Sequence, residues 1–172
     1  MTRSLPIGLI NLSITLLIYF VPQGVMGAEP ILRIGSSCPS GYYQSAEYCV
    51  PFSDNSPKVI PKAGSSCPGG YFQTGQNYCA PIGDSPNEII LKSGDNCPAG
   101  YYQTGSGYCA AISESSRQVI IKSGNNCPGG YYQTGGAYCV PISDSAPKVI
   151  KKSGNSCPTG YYQSGDYCVP FN

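Results

Sequence analysis

Three kinds of residue in this chain could do chemistry: cysteine, tyrosine and the carboxylates. There are 10 Cys, 15 Tyr and nine Asp/Glu, with no His and no Trp, in 172 residues. Without histidine the commonest general base and the commonest metal ligand are missing. Ser-His-Asp and Cys-His catalysis, His-based zinc sites and histidine pH switching are therefore excluded. No Cys-x-x-Cys occurs, so neither a thioredoxin-like redox site nor a four-cysteine zinc knuckle is encoded. No Asp-x-Asp-x-Asp-Gly run marks a calcium loop. The nine acids are scattered, with no pair in a local setting for acid/base work. The expectation is a protein that is not an enzyme and has no cofactor and no metal.

The cysteines have a regular spacing instead. Cys-Pro stands at Cys38, Cys67, Cys97, Cys127 and Cys157, in steps of 29, 30, 30 and 30 residues. A second cysteine follows each: Cys49, Cys79, Cys109, Cys139 and Cys168. An even number of cysteines in a repeating frame reads as structural disulfides. The simplest pairing closes each unit: Cys38–Cys49, Cys67–Cys79, Cys97–Cys109, Cys127–Cys139 and Cys157–Cys168. If three strands lay side by side in chain order, the first cysteine of a unit would sit too far from the second. The chain around Cys-Pro must then fold back over the hairpin.

The tyrosines share this period. Each unit carries Tyr-Tyr (Tyr-Phe in the second) after Cys-Pro-x-Gly and a further Tyr just before its second cysteine. If that stretch is a hairpin, Tyr43 faces Tyr48, Phe72 faces Tyr78, Tyr102 faces Tyr108, Tyr132 faces Tyr138 and Tyr162 faces Tyr167. One face of each hairpin goes to the disulfide and the core. The aromatic pairs on the other face are the candidate binding surface, able to stack on sugar rings or line a protein contact. Should the pairs prove to be core, the row Tyr42, Tyr71, Tyr101, Tyr131 and Tyr161 takes that role.

Charge is sparse, at 11% of residues against about a quarter in an average domain. Beyond residue 27, nine bases balance nine acids, so neither nucleic acid nor an anionic membrane is an expected partner. A base lies five residues before each Cys-Pro (Arg33, Lys62, Lys92, Lys122, Lys152), and an acid five residues after the second cysteine of four units (Asp54, Asp84, Glu114, Asp144). The matched signs predict salt bridges between neighbouring units.

The elements that position these residues follow from the repeat. The units run 28–57, 58–87, 88–117, 118–147 and 148–172. Each opens on a β-branched or aliphatic run (Val119-Ile120-Ile121 in the fourth), turns through Cys-Pro-x-Gly as a type I turn, and closes with the hairpin. The fold class expected is all-β: five tandem, disulfide-stapled, three-stranded units, stacked on one another. The first and fifth units have a hairpin one residue shorter and end in Val-Pro-Phe, at Phe52 and Phe171. Atypical end units commonly cap an open stack, so these two are expected to be its N-cap and C-cap. Residues 1–27 read as a signal peptide: Arg3, an apolar run from Ile7 to Val21, then small residues. Whether the segment is cleaved or kept as an anchor stays open.

The Cys-Pro-x-Gly-Tyr-Tyr segment resembles a turn found in extracellular modules of the epidermal-growth-factor-like and ephrin-receptor-like kinds. Those modules carry several disulfides per unit against one here, so no function is carried over. The expectation is a secreted or cell-surface (extracellular or periplasmic) structural or interaction protein. Its partner would be itself, an extracellular protein or a glycan, and the alternative is a lectin-like protein using exposed tyrosines.

Overall fold

A computed structural model describes residues 28–83, 87–113 and 118–171. The signal-peptide segment lies outside the described residues, as do Asp84 and Glu114. The elements are all strands, three to a unit. The first unit has β1 (Ile31–Leu32), β2 (Tyr42–Ser45) and β3 (Tyr48–Pro51), and the second β4 (Ile60–Pro61), β5 (Tyr71–Thr74) and β6 (Tyr78–Pro81). The third has β7 (Ile89–Leu91), β8 (Tyr101–Thr104) and β9 (Tyr108–Ala111). The fourth and fifth follow with β10 (Ile120–Ile121), β11 (Tyr131–Thr134), β12 (Tyr138–Pro141), β13 (Ile150–Lys151), β14 (Tyr161–Ser164) and β15 (Tyr167–Pro170). Each unit is one antiparallel sheet in which its third strand lies between the other two.

This strand order answers the geometric problem of the cysteines. The second cysteine sits on the central strand, so a chain crossing from the first strand to the second passes over it. All five disulfides form within units, with Cα–Cα separations of 5.4 to 5.7 Å, and no cysteine is free.

Two local expectations are corrected. The turn after Cys-Pro begins one residue later than expected: Tyr42 N–H donates to Pro39 C=O at 3.2 Å, and Gly41 has φ +86°. A glycine of positive φ at the third turn position is the mark of type II, not type I. The hairpin register also differs. Tyr43 faces Val50 and Ser45 faces Tyr48; Phe72 faces Ala80, Tyr102 Ala110, Tyr132 Val140 and Tyr162 Val169. The Tyr–Tyr pairs do not form. The reason is where the positive-φ residue falls: Ala46, Gly75, Gly105, Gly135 and Gly165 each open the turn. The expected pairing places one residue of the turn before each of them. The turn length, two residues in the end units and three in the middle ones, is as expected.

The sheets pack face to face, and the contacts close into a ring. In every unit the tyrosine that opens the central strand passes its hydroxyl to the unit before. That hydroxyl accepts a hydrogen bond from the backbone N–H four residues before the earlier unit's Cys-Pro. The bonds are Ile34 to Tyr78, Ala63 to Tyr108, Ser93 to Tyr138 and Ser123 to Tyr167, at 2.6 to 2.8 Å. The fifth joins the ends of the chain: Ser153 N–H donates to Tyr48 Oη at 2.6 Å. Tyr48 and Val50 share a core cluster with Cys168, flanked by Cys157 and Tyr161. The first and last units therefore do not cap an open stack; each covers the other. The architecture is propeller-like, built on three-stranded blades instead of the usual four.

Closure explains how a unit of some thirty residues with one disulfide is stabilised. Alone it has too little interior. In the ring both faces are covered: Tyr42, Cys49 and Ile31 of the first unit pack on Tyr78 and Ala80 of the second. The same pattern recurs between the third and fourth units and between the fourth and fifth.

Candidate functional site

The ring divides the candidate residues among three places: the seams between sheets, the axis and the outer strands. Tyr48, Tyr78, Tyr108, Tyr138 and Tyr167 lie in the seams and are at most 3% exposed. Each hydroxyl also lies 3.5 to 3.9 Å from the second-cysteine sulfur of the preceding unit. Here tyrosine provides a large apolar ring to fill the seam and a hydroxyl for a backbone N–H that would otherwise be orphaned. These five candidate residues are buried in the seams.

Their expected partners have the opposite fate. Tyr43, Phe72, Tyr102, Tyr132 and Tyr162 are 39 to 52% exposed. Next to Tyr43 stands Phe52, ring centroids 5.4 Å apart, and Tyr162 and Phe171 repeat this at 5.5 Å. Ile82, Ile112 and Ile142 hold the equivalent place in the middle units and are equally open. Of eleven exposed large hydrophobic residues among those described, ten belong to these five couplets and the other is Ile34.

The axis collects residues that sequence reasoning did not single out. Nine residues before each Cys-Pro stand Glu29, Lys58, Glu88, Gln118 and Lys148. They precede the first strands, the innermost of each sheet, of which β4 and β7 touch. Glu29 pairs with Lys148 at 3.4 Å and accepts two hydrogen bonds from Gln118 Nε2 at 3.1 Å. A cavity of about 300 Å³ opens here, lined by Glu29, Lys58, Glu88 and Gln118 with Tyr42 and Tyr71. The Tyr101 hydroxyl donates to Glu88 Oε2 at 2.5 Å. Burial raises the Glu88 carboxyl above its usual range, against the lowering effect of that hydrogen bond.

The first-tyrosine row surrounds this cluster. Tyr42 and Tyr131 donate to the carbonyls of Pro57 and Pro147, the last residues of their own units, each at 2.8 Å. Burial pushes the Tyr42 and Tyr161 phenols up to about 12, with Glu29 adding to the shift. Tyr101 is raised by burial and then by the charge of Glu88. The sequence signal for the axial cluster was a polar residue at one repeat position in every unit. With no common identity among them, only ring closure shows that they meet.

The repeated bases find partners inside their own units. Lys62, Lys92 and Lys122 reach Gln73, Gln103 and Gln133 of their own units at 2.9 to 3.0 Å. Arg33 pairs with Glu47 in its own unit at 3.6 Å. These four bases thus have partners within their own units, where the extended first strand lays them across the sheet; of the acids expected to pair with them, Asp84 and Glu114 lie outside the described residues.

Two further hollows lie between neighbouring units. One, about 350 Å³, is lined by Ser36, Ser37 and Cys38 of the first unit and Gly75, Gln76 and Asn77 of the second. The other, about 360 Å³, has the equivalent lining, Asn125, Asn126 and Cys127 of the fourth unit facing Ser164, Gly165 and Asp166 of the fifth. Among the described residues no group of acids and cysteines is arranged to hold a metal ion. Comparison with protein families, curated proteins and solved structures finds no match.

Proposed function

We propose that the protein is a secreted, non-enzymatic module that assembles with further copies of itself through its exposed couplets. The observation that carries this reading is the concentration of ten of eleven exposed large hydrophobics into five equivalent places, one per unit. Scattered apolar residues on a surface are ordinary, whereas a repeated patch marks a contact. Five disulfides and a repeated all-β frame fit a structural role in an oxidising compartment. No described helix is long and apolar enough to cross a membrane. The absence of histidine supports a binding role over catalysis.

A second copy suits the couplets because the nine bases and nine acids beyond residue 27 leave no net charge to keep rings apart. Size sets the mode. Ten half-exposed side chains amount to roughly 1,000 Å² of apolar surface per ring. A stable pairwise contact takes about 800 Å² per partner. One or two couplets alone bind weakly, so assembly needs several engaged together.

Sedimentation velocity over a range of concentrations tests this reading. The unaltered protein should self-associate. Replacing Tyr43, Phe72, Tyr102, Tyr132 and Tyr162 together by Ser should give a monomer with an unchanged fold. Equal association of both proteins, or a monomer at every concentration before any substitution, would overturn it.

A further inference from the structure

We infer that the hollows between units one and two and between units four and five are binding sites for a neutral saccharide. The inference is independent of the couplets, none of which lines either hollow. Three observations lead to it.

The first is recurrence. Two hollows at different seams, with different side chains, have volumes of about 350 and 360 Å³ and equivalent linings. These sizes fall at the lower end of the range of about 300–1,000 Å³ for small-molecule sites. One wall is the segment leading into Cys-Pro, and the other is the hairpin turn of the next unit.

The second is chemistry. In the hollow of units four and five stand the Asn125 and Asn126 amides, the Ser164 hydroxyl and the Asp166 carboxylate. The other offers the Ser36 and Ser37 hydroxyls and the Gln76 and Asn77 amides. The Asn77 amide is engaged with the Ile34 carbonyl at 2.9 Å, which ties the two walls together. Neither lining includes a lysine or arginine; the cations at the edges, Arg33 and Lys122, are held by the Gly35 and Asn125 carbonyls and by side chains of their own units, which disfavours phosphate and sulfate. Apart from the buried tyrosine, neither includes a large apolar side chain, so a lipid chain or an apolar peptide gains little. What remains is a compact cluster of donors and acceptors, suited to a ligand rich in hydroxyl groups that both give and accept.

The third is rigidity. Cys127 is held by its disulfide to Cys139, and the floor is Tyr167. Its hydroxyl accepts from Ser123 N–H at 2.8 Å and lies 3.2 Å from the carbonyls of Ser123 and Asn126. In the other hollow Cys38 is tied to Cys49, and Tyr78 is bound to Ile34. Walls fixed in this way lose little freedom when a ligand binds, which matters most for a weak, solvated ligand. Repetition around the ring then adds avidity for a polymer of the same sugar.

The test uses the intact oxidised protein and the neutral sugars glucose, galactose, mannose and N-acetylglucosamine, followed by cellulose, galactan, mannan and chitin. NMR titration should show at least one monosaccharide binding with a Kd on the order of millimolar, shifting the amide signals of Asn126 and Ser37. The matching polymer should bind at least about a hundredfold more tightly. A variant with Ser37→Leu, Gln76→Leu, Asn126→Leu and Asp166→Leu should lose most of this binding. The rim variant described above should keep it. If the fourfold variant fails to fold, the shifts of Asn126 and Ser37 in the unaltered protein decide. The inference is overturned if none of the four sugars binds, if binding leaves those signals unmoved, or if a folded fourfold variant binds as well as the original. Loss of sugar binding in the rim variant alone would also overturn it, without touching the assembly reading.

Discussion

The seams between sheets and the outer strands use the same residue type for opposite ends. Tyr48 and Tyr43 lie on one face of the same sheet, since Tyr43 is opposite Val50 and Val50 is two residues from Tyr48. Yet Tyr48 is fully buried and Tyr43 is 39% exposed. On this face the strand decides exposure, central against outer; Tyr42, next to Tyr43 on β2 but on the opposite face, is only 6% exposed. Sheets arranged as a ring press together near the axis and fan apart with radius. A side chain on a central strand meets the neighbouring sheet, while one on the outer strand of the same face looks into a widening gap. The same divergence leaves room for the polar hollows at the seams.

The largest effect should strike both regions at once. Each disulfide closes a loop of 11 or 12 residues. In the chain-entropy model such a loop contributes roughly 3 kcal/mol. Five of them amount to about 15 kcal/mol, the upper end of the net stability of about 5–15 kcal/mol typical of a domain. Full reduction should therefore unfold the ring, read as loss of tyrosine near-UV dichroism. A ring that stays folded when reduced would show that the seams suffice alone.

Point substitutions sharpen the comparison. Tyr108→Ser should cost about 3–5 kcal/mol, as removal of a large buried aromatic does. Tyr102→Ser, six residues away in the same hairpin, should stay within about 0.5 kcal/mol. Denaturant midpoints measured side by side would check this, and equal losses would break the distinction.

Alkaline titration separates tyrosines by site. Tyr42 and Tyr161 ionise only near pH 12 in the folded ring and near 10 in the unfolded chain. A raised folded value means that stability is intact below pH 10 and falls as the pH climbs from 10 toward 12. Ultraviolet phenolate absorbance should follow the tyrosines through this range. A late set should appear together with unfolding.

A smaller effect belongs to Glu88. Its raised value means that the folded state holds the proton more tightly than the unfolded one. Stability should decline as the pH rises through the carboxylate range and level off once the folded carboxyl has ionised. Glu88→Gln should flatten that slope in thermal melts across acidic pH. An unchanged slope would place the titrating group elsewhere.

Much of this architecture was legible because cysteine and glycine constrain the chain locally. Cys-Pro every thirty residues set the units and their disulfides, and hairpin length followed the count between Gln163 and Tyr167 or Gln133 and Tyr138. The register was missed because it depends on which turn position takes positive φ. That is decided by the left-handed backbone at Gly165 or Ala46, which a count of residues does not locate. Closure was missed because Phe52, Phe171 and the short hairpins set the first and last units apart. Those differences fall at the rim and in the turns, whereas the seam residues Tyr48, Ser153 and Cys168 match their counterparts in the middle units. The axial cluster was illegible for the same reason: Glu29 and Gln118 are 89 residues apart, and only a ring brings them within reach.

The central claim is that the ring is closed by the seam between the first and last units, and Tyr48 tests it most directly. In a closed ring Tyr48→Phe orphans the Ser153 N–H as Tyr78→Phe orphans that of Ile34. Each should cost about 1–3 kcal/mol. In an open stack Tyr48 would sit on a free end, and its hydroxyl would have no unit to bind. Paired urea titrations of the two variants should therefore give equal losses of stability. A full loss for Tyr78→Phe with none for Tyr48→Phe would contradict the closed ring.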